Sequence, residues 1–303
     1  MSVSKIKLSQ KGPDFSRLVW GLWRLADWNL ETKQLQNLIS FCIENGITTF
    51  DHADIYGRYT CEEIFGNAYG DMKLDRSKIQ IVTKCGIKFN APNRPDFKMK
   101  SYDTGKDHII RSAENSIKML KCDYLDLLLI HRPDPFMNAD ETAAGIMELK
   151  KSGKVLHFGV SNFNPSQFEL LQSRLDFQLV TNQIEFSVST VNPLYDGTLD
   201  QLQKLRISPM AWSPLGGGNL FKDQGDKSVR LRTVLTEIGK ELGGLQIDQI
   251  ALSWLMTHPS HVIPVLGSGN IDRIKSAIIS ENIRLSHHQW FSVLKASNGV
   301  DVP

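Results

Sequence analysis

Long apolar runs are missing: no stretch reaches the length that crosses a bilayer, and the N-terminus lacks the basic-then-apolar order of a secretory leader. A cytoplasmic protein with no membrane role is therefore expected. Cysteine is scarce, with four residues (Cys42, Cys61, Cys85 and Cys122) scattered and no CxxC pair. That spacing offers neither a disulfide framework nor a zinc-ligand set, so reduced thiols and no metal site are expected. An excess of one charge is missing too. A formal net charge of +2 leaves no long-range field to attract nucleic acid or an acidic membrane. Nor is there a low-complexity run, a linker or a charge block, so residues 1–303 read as one domain.

What the chain does have is alternation. Ile6, Leu8 and Phe15 flank the turn signal Gly12-Pro13-Asp14, which predicts a small N-terminal β-hairpin. Eight short apolar runs follow, at 18–20, 47–50, 79–84, 125–130, 157–160, 179–183, 209–212 and 262–266. Each is succeeded by a segment with helical spacing. The first such segment shows Leu35, Leu38, Ile39, Cys42 and Ile43 on one face, stopped by Gly46. Thr60-Cys61-Glu62-Glu63 predicts a capping box that opens the second. After Trp212 a polar loop is expected to run to about Ser228, and an extra C-terminal helix to begin near Ser286.

Strand and helix in regular succession over this length predict a (β/α)₈ TIM barrel of the α/β class. A doubly wound dinucleotide fold would need GxGxxG directly after its first strand. Gly21-Leu22-Trp23-Arg24 does not supply it, and Gly216-Gly217-Gly218 comes too late with the wrong spacing.

In such a barrel all strands point one way, and the C-terminal ends share the rim where chemistry is sited. Those ends carry Trp23, Asp51 with Tyr56, Lys84, His131, Ser161-Asn162, Gln183, Trp212-Ser213 and Gly267-Ser268. A lysine beside a carboxylate and a phenol is costly to bury unless paired, so packing is a poor account of it.

These residues resemble the aldo-keto reductase family, and within it the YdhF type of bacterial oxidoreductase. Asp51, Tyr56-Gly57, Lys84 closing Ile-Val-Thr-Lys, and His131 after Leu-Leu-Leu-Ile match the catalytic tetrad of that family in order and spacing. Gly159-Val160-Ser161-Asn162-Phe163, Asn182-Gln183-Ile184-Glu185 and Trp212-Ser213-Pro214-Leu215 match its cofactor signatures. The resemblance implies NADPH-dependent reduction of a small-molecule aldehyde or ketone. Tyr56 would protonate the oxygen, Lys84 held by Asp51 would make the phenol more acidic, and His131 would orient the carbonyl. It further implies that Ser161, Asn162 and Gln183 bind the carboxamide, with Trp212 stacked on the nicotinamide. Leu22, Trp23, Ser213, Leu215 and Gly216 would complete the cofactor contacts, and Gly267, Ser268 and Arg273 would hold the 2′-phosphate.

Three places depart from the family pattern, the first being Trp212, where many members carry tyrosine. Ser276-Ala277 stand where many members carry a Glu-Asn pair against the adenine, and His52 replaces the usual threonine. Trp23, Trp28 and Phe89 are candidate pocket walls, pointing to an apolar substrate. No obligate protein partner is inferred, although potassium-channel β subunits resemble the same family and keep a cofactor-holding role open. A barrel hydrolase or isomerase built on His131 and Asp51 would leave Trp212 and Gln183 without a task.

Overall fold

The computed structural model describes residues 2–302. Lys5–Lys7 (β1) pairs antiparallel with Asp14–Ser16 (β2) as the expected hairpin. Eight parallel strands then close on themselves in chain order: Val19–Gly21 (β3), Thr49–Asp51 (β4), Gln80–Cys85 (β5), Leu125–Ile130 (β8), Val155–Ser161 (β9), Asn182–Glu185 (β10), Met210–Trp212 (β11) and Ile263–Leu266 (β12). The loop after β5 carries a second small hairpin, Ile87–Lys88 (β6) with Ser101–Tyr102 (β7). The architecture is the expected (β/α)₈ barrel.

Helices surround it: Thr32–Glu44 (α1), Cys61–Gly70 (α2), Lys106–Met119 (α3), Ala139–Lys151 (α4), Pro165–Gln172 (α5), Thr198–Lys204 (α6), Asn219–Lys222 (α7), Asp226–Glu241 (α8), Ile247–Thr257 (α9) and Ile271–Ser280 (α10). The extra terminal helix is His287–Asn298 (α11), capped by Ser286, whose hydroxyl accepts from the Gln289 amide. Each helix buries the apolar stripe its spacing dictates, as in α1, where Leu35, Leu38, Ile39 and Cys42 face inward.

The barrel interior is filled from its N-terminal end. Leu8 and Phe15 of the hairpin pack with Val19, Val82, Leu127, Leu129, Val180, Met210 and Ile263 in one apolar cluster. The lower part is therefore a solid plug, as the fold requires.

Three local expectations are corrected. Thr60 precedes α2 but caps nothing, because its hydroxyl donates to the Gly57 carbonyl at 2.7 Å instead. Gly57 adopts φ 56°, and the tight turn it permits brings that carbonyl within reach. The stretch expected to be a polar loop after Trp212 contains the short helix α7 and the first turn of α8. The strand expected over 179–183 begins only at Asn182.

Candidate active site

Side chains along a strand alternate faces, so every second residue of each barrel strand points inward. Val82 belongs to the interior plug, which puts Lys84 inside one layer higher. By the same count Leu129 places His131, and Met210 places Trp212, at the C-terminal mouth. The sequence thus stacks an apolar layer beneath a polar one, and the polar layer is the candidate site.

At its centre the Lys84 ammonium donates to Asp51 Oδ2 at 2.7 Å, to the His52 carbonyl at 2.7 Å and to the Tyr56 hydroxyl oxygen at 3.0 Å. All three of its donors are used. Lys84 is fully buried. Burial pulls its pKa down, but Asp51 and Tyr56 outweigh that pull and carry it above the ordinary lysine value. The ammonium is therefore a permanent charge.

At Tyr56 two effects oppose each other. Burial lifts its phenol above the usual 10, while Lys84, as expected, pulls it down. Burial wins, because a phenolate taken out of water costs more than one ammonium and its hydrogen bond return. Tyr56 consequently holds its proton at neutral pH, as a donor must. The His131 imidazole lies edge-on to the Tyr56 ring, with centroids 5.8 Å apart. Burial first, then Lys84 and Arg132, hold its pKa well below 6.5, so the ring is neutral. Its Nδ1 is buried without a partner.

Around this centre the neighbouring strand ends lock together. Gln183 donates from Nε2 to Asp51 Oδ1 at 2.8 Å, so Asp51 is gripped from two sides. Ser161 donates to the Gln183 carbonyl, and Asn162 donates to the Ser161 hydroxyl, each at 2.8 Å. Trp212 donates from Nε1 to Asn162 Oδ1 at 2.9 Å. Asn162 takes φ 62°, a left-handed value to which asparagine is well suited. The chain of bonds fixes the indole and orients the Asn162 and Gln183 amides.

A cleft of about 300 Å³ lies farther round the rim, lined by Arg24, Trp28, Leu30, Gly267, Ser268, Gly269, Asn270 and Arg273. Two guanidinium groups and a serine in one cleft suit a phosphate. Trp28 stacks on Trp20 at 5.8 Å, and Trp20 donates to the Ser268 carbonyl at 2.9 Å, which anchors the cleft wall to the core. Between cleft and indole, Ser213, Gly216, Gly217 and Gly218 all have positive φ, and Leu215 sits among them. Arg24 reaches from the loop after β3 and donates to the Gly217 carbonyl at 3.2 Å.

Most expected residues thus share one rim. Leu22 is fully buried, with its N–H committed to the Asp51 carbonyl. Trp28 lines the phosphate-suited cleft. Trp23 stands at the edge, 57% exposed, with the Arg24 guanidinium 5.1 Å from its ring centre. Arg24 itself escaped notice, since an arginine after Trp23 carries no signal until the chain folds. His52, expected to be structural, is buried against Phe65, and burial holds it neutral, with its pKa down at about 3. Ser276 is half-buried and Ala277 buried. Among the described residues there is no cluster of metal ligands, and no helix is long and apolar enough to cross a membrane.

Comparison with known proteins agrees with this geometry. A model of the aldo/keto reductase family matches residues 17–297. The chain is 50% identical to the oxidoreductase YdhF of Escherichia coli over 301 residues, covering 99% of this chain and all of that one. It is 42% identical to a 6-dehydroglucose reductase of Agrobacterium fabrum over the same length, covering 99% of this chain and all of that one. Among solved structures, the thermostable aldo-keto reductase Tm1743, crystallised with the inhibitor epalrestat, superimposes with a TM-score of 0.80. There the identity is 27%, over 97% of this chain and 99% of that one.

Proposed function

The chain belongs to the aldo/keto reductase family of carbonyl-reducing oxidoreductases that use nicotinamide cofactors, and from that premise we propose that it is an NADPH-dependent reductase of a small aldehyde or ketone. One observation carries the reading: Lys84, buried and charged, bonds Asp51 and the Tyr56 hydroxyl at once.

When bound, NADPH supplies the hydride. Tyr56 donates its proton to the carbonyl oxygen, and Lys84, 3.0 Å away, stabilises the phenolate left behind. Asp51 keeps Lys84 charged, and Gln183 holds Asp51 in register. The neutral His131 would orient the carbonyl. Trp212, Ser161, Asn162 and Gln183 would hold the nicotinamide end. Arg24, Ser268 and Arg273 would hold the phosphates, the Arg273 guanidinium serving the 2′-phosphate that distinguishes NADPH from NADH.

The 6-dehydroglucose reductase relative makes a sugar-derived aldehyde the first substrate to try. NADPH oxidation should be followed with that compound and with a panel of aldehydes, ketones and dicarbonyls, using Tyr56→Phe as the control. Turnover of at least one carbonyl by the wild type and its collapse in the variant is the expected result. Equal rates for the two proteins would refute the proton-donor role.

A further inference from the structure

Arg132 follows His131 directly, and its guanidinium lies 5.5 Å from the centre of the Trp212 ring. The residue is half-buried. Its charge is felt at both reacting side chains, lowering the pKa of the Tyr56 phenol and of the His131 imidazole. Several other buried or half-buried cations have oxygen partners: Lys84 has Asp51, Arg76 has Asp126, Lys88 has Asp103, and Arg17 has the Met256 carbonyl. Among the described residues Arg132 has only the indole. A cation–π contact engages the charge but leaves the five N–H donors without an acceptor.

The nearest acid in sequence offers no relief. Asp134 accepts from the Phe136 amide at 2.8 Å and from the Thr104 hydroxyl at 3.1 Å. Arg58, two residues past Tyr56, is a second guanidinium with no ion pair among the described residues, 5.9 Å from the Phe89 ring. Arg132 is thus a cation without an ion pair among the described residues, beside the groups that handle the carbonyl; the carboxylate on the neighbouring strand end is Glu185, the register partner of Trp212. A planar fork with free donors matches a carboxylate in both charge and shape.

We propose that Arg132 is a specificity-determining residue that grips a carboxylate carried by the substrate, so that the preferred compounds are aldehydes or ketones bearing an acidic group. The proposal rests on the carbonyl-reductase reading above and narrows it to anionic substrates. The aromatic walls then hold the carbon skeleton between carbonyl and carboxylate.

The test compares 4-carboxybenzaldehyde with methyl 4-formylbenzoate, and succinic semialdehyde with its methyl ester, by kcat/KM under NADPH. Wild type should favour the acid, and Arg132→Met should lower that acid-to-ester ratio about 10- to 100-fold, mainly through KM, as loss of a charged hydrogen-bonded pair implies. Arg132→Lys should retain part of the preference, since it keeps the charge but not the fork. A ratio that is the same in wild type and Arg132→Met for both pairs overturns the proposal. Calorimetry with 4-(hydroxymethyl)benzoate and its methyl ester gives a readout without turnover. Tighter binding of the acid by wild type but not by Arg132→Met supports the assignment even if no aldehyde is reduced, an outcome that would sink the reductase reading alone. Equal binding of acid and ester by wild type overturns it.

Discussion

Two buried ion pairs sit at opposite ends of the barrel wall and are built from the same chemistry. At the C-terminal mouth Lys84 meets Asp51 at 2.7 Å. At the N-terminal end Arg76 meets Asp126 at 2.6 Å. Arg76 is tied to structure: its two terminal nitrogens also donate to the Ile79 and Tyr124 carbonyls, and Asp126 accepts the Ile81 amide. That pair stitches the start of β5 to β8. Lys84 instead spends one donor on a phenol that borders the open mouth. The balance of forces differs as well. Burial lifts the Asp126 carboxyl above its usual range despite Arg76, whereas Asp51 and Tyr56 overcome burial at Lys84. A buried ion pair is therefore no sign of function by itself; what marks the upper one is the third group it acts upon.

The contrast is sharpest in its largest expected effect. Tyr56→Phe should lower kcat by roughly 10²–10⁴, the usual worth of a positioned general acid, while NADPH still binds with a Kd near that of wild type. Stopped-flow rates and fluorescence titration check the two halves; a variant that loses cofactor binding instead would erase the distinction between chemistry and scaffold.

Asp126→Asn probes the lower pair. It should lower the unfolding free energy by about 2–3 kcal/mol, the scale of a lost charge-assisted bond, with kcat per folded molecule unchanged. Urea titration of both proteins reads the first quantity. A matching loss of turnover would mean that the two ends are coupled.

Arg273→Ala should weaken NADPH about tenfold or more and NADH much less, because an exposed guanidinium gives most to a phosphate dianion. Equal weakening of both cofactors, measured by titration, would remove Arg273 from the 2′-phosphate site.

The smallest effect belongs to Glu62, a buried acid with no cation of its own. Its carboxylate accepts from Thr83, yet burial lifts its pKa from 4.5 to about 7. Between those values the folded chain keeps a proton that the unfolded chain has released, so this group's stabilisation is full below about 4.5 and lost as pH rises through about 7. Glu62→Gln should flatten that fall, gaining on the order of 1 kcal/mol over wild type at pH 8 relative to pH 5. Urea midpoints at the two pH values decide it, and parallel curves would place the titration elsewhere.

Much of this was legible in the chain. Apolar runs alternating with helical spacing gave the barrel, and the period of two put Lys84 above Val82. Motifs local to one strand end, such as Ser161-Asn162 or Trp212-Ser213, could be read without knowing their neighbours. A misreading arose where a residue's role depends on what folds against it. Thr60 had the sequence of a cap, and a turn made by Gly57 claimed its hydroxyl.

By itself the sequence determined periodicity, and with it the parallel barrel and the list of polar residues at its mouth, because side-chain alternation is a local property of the backbone. Closure of the barrel decided the rest. Only then do Gln183 and Asp51, 132 residues apart, come to share a hydrogen bond, Arg24 reach Gly217, and Arg132 lie over Trp212 with no ion pair among the described residues. Burial is likewise a property of the closed ring, which is why Tyr56 keeps its proton although a cation stands 3.0 Å away.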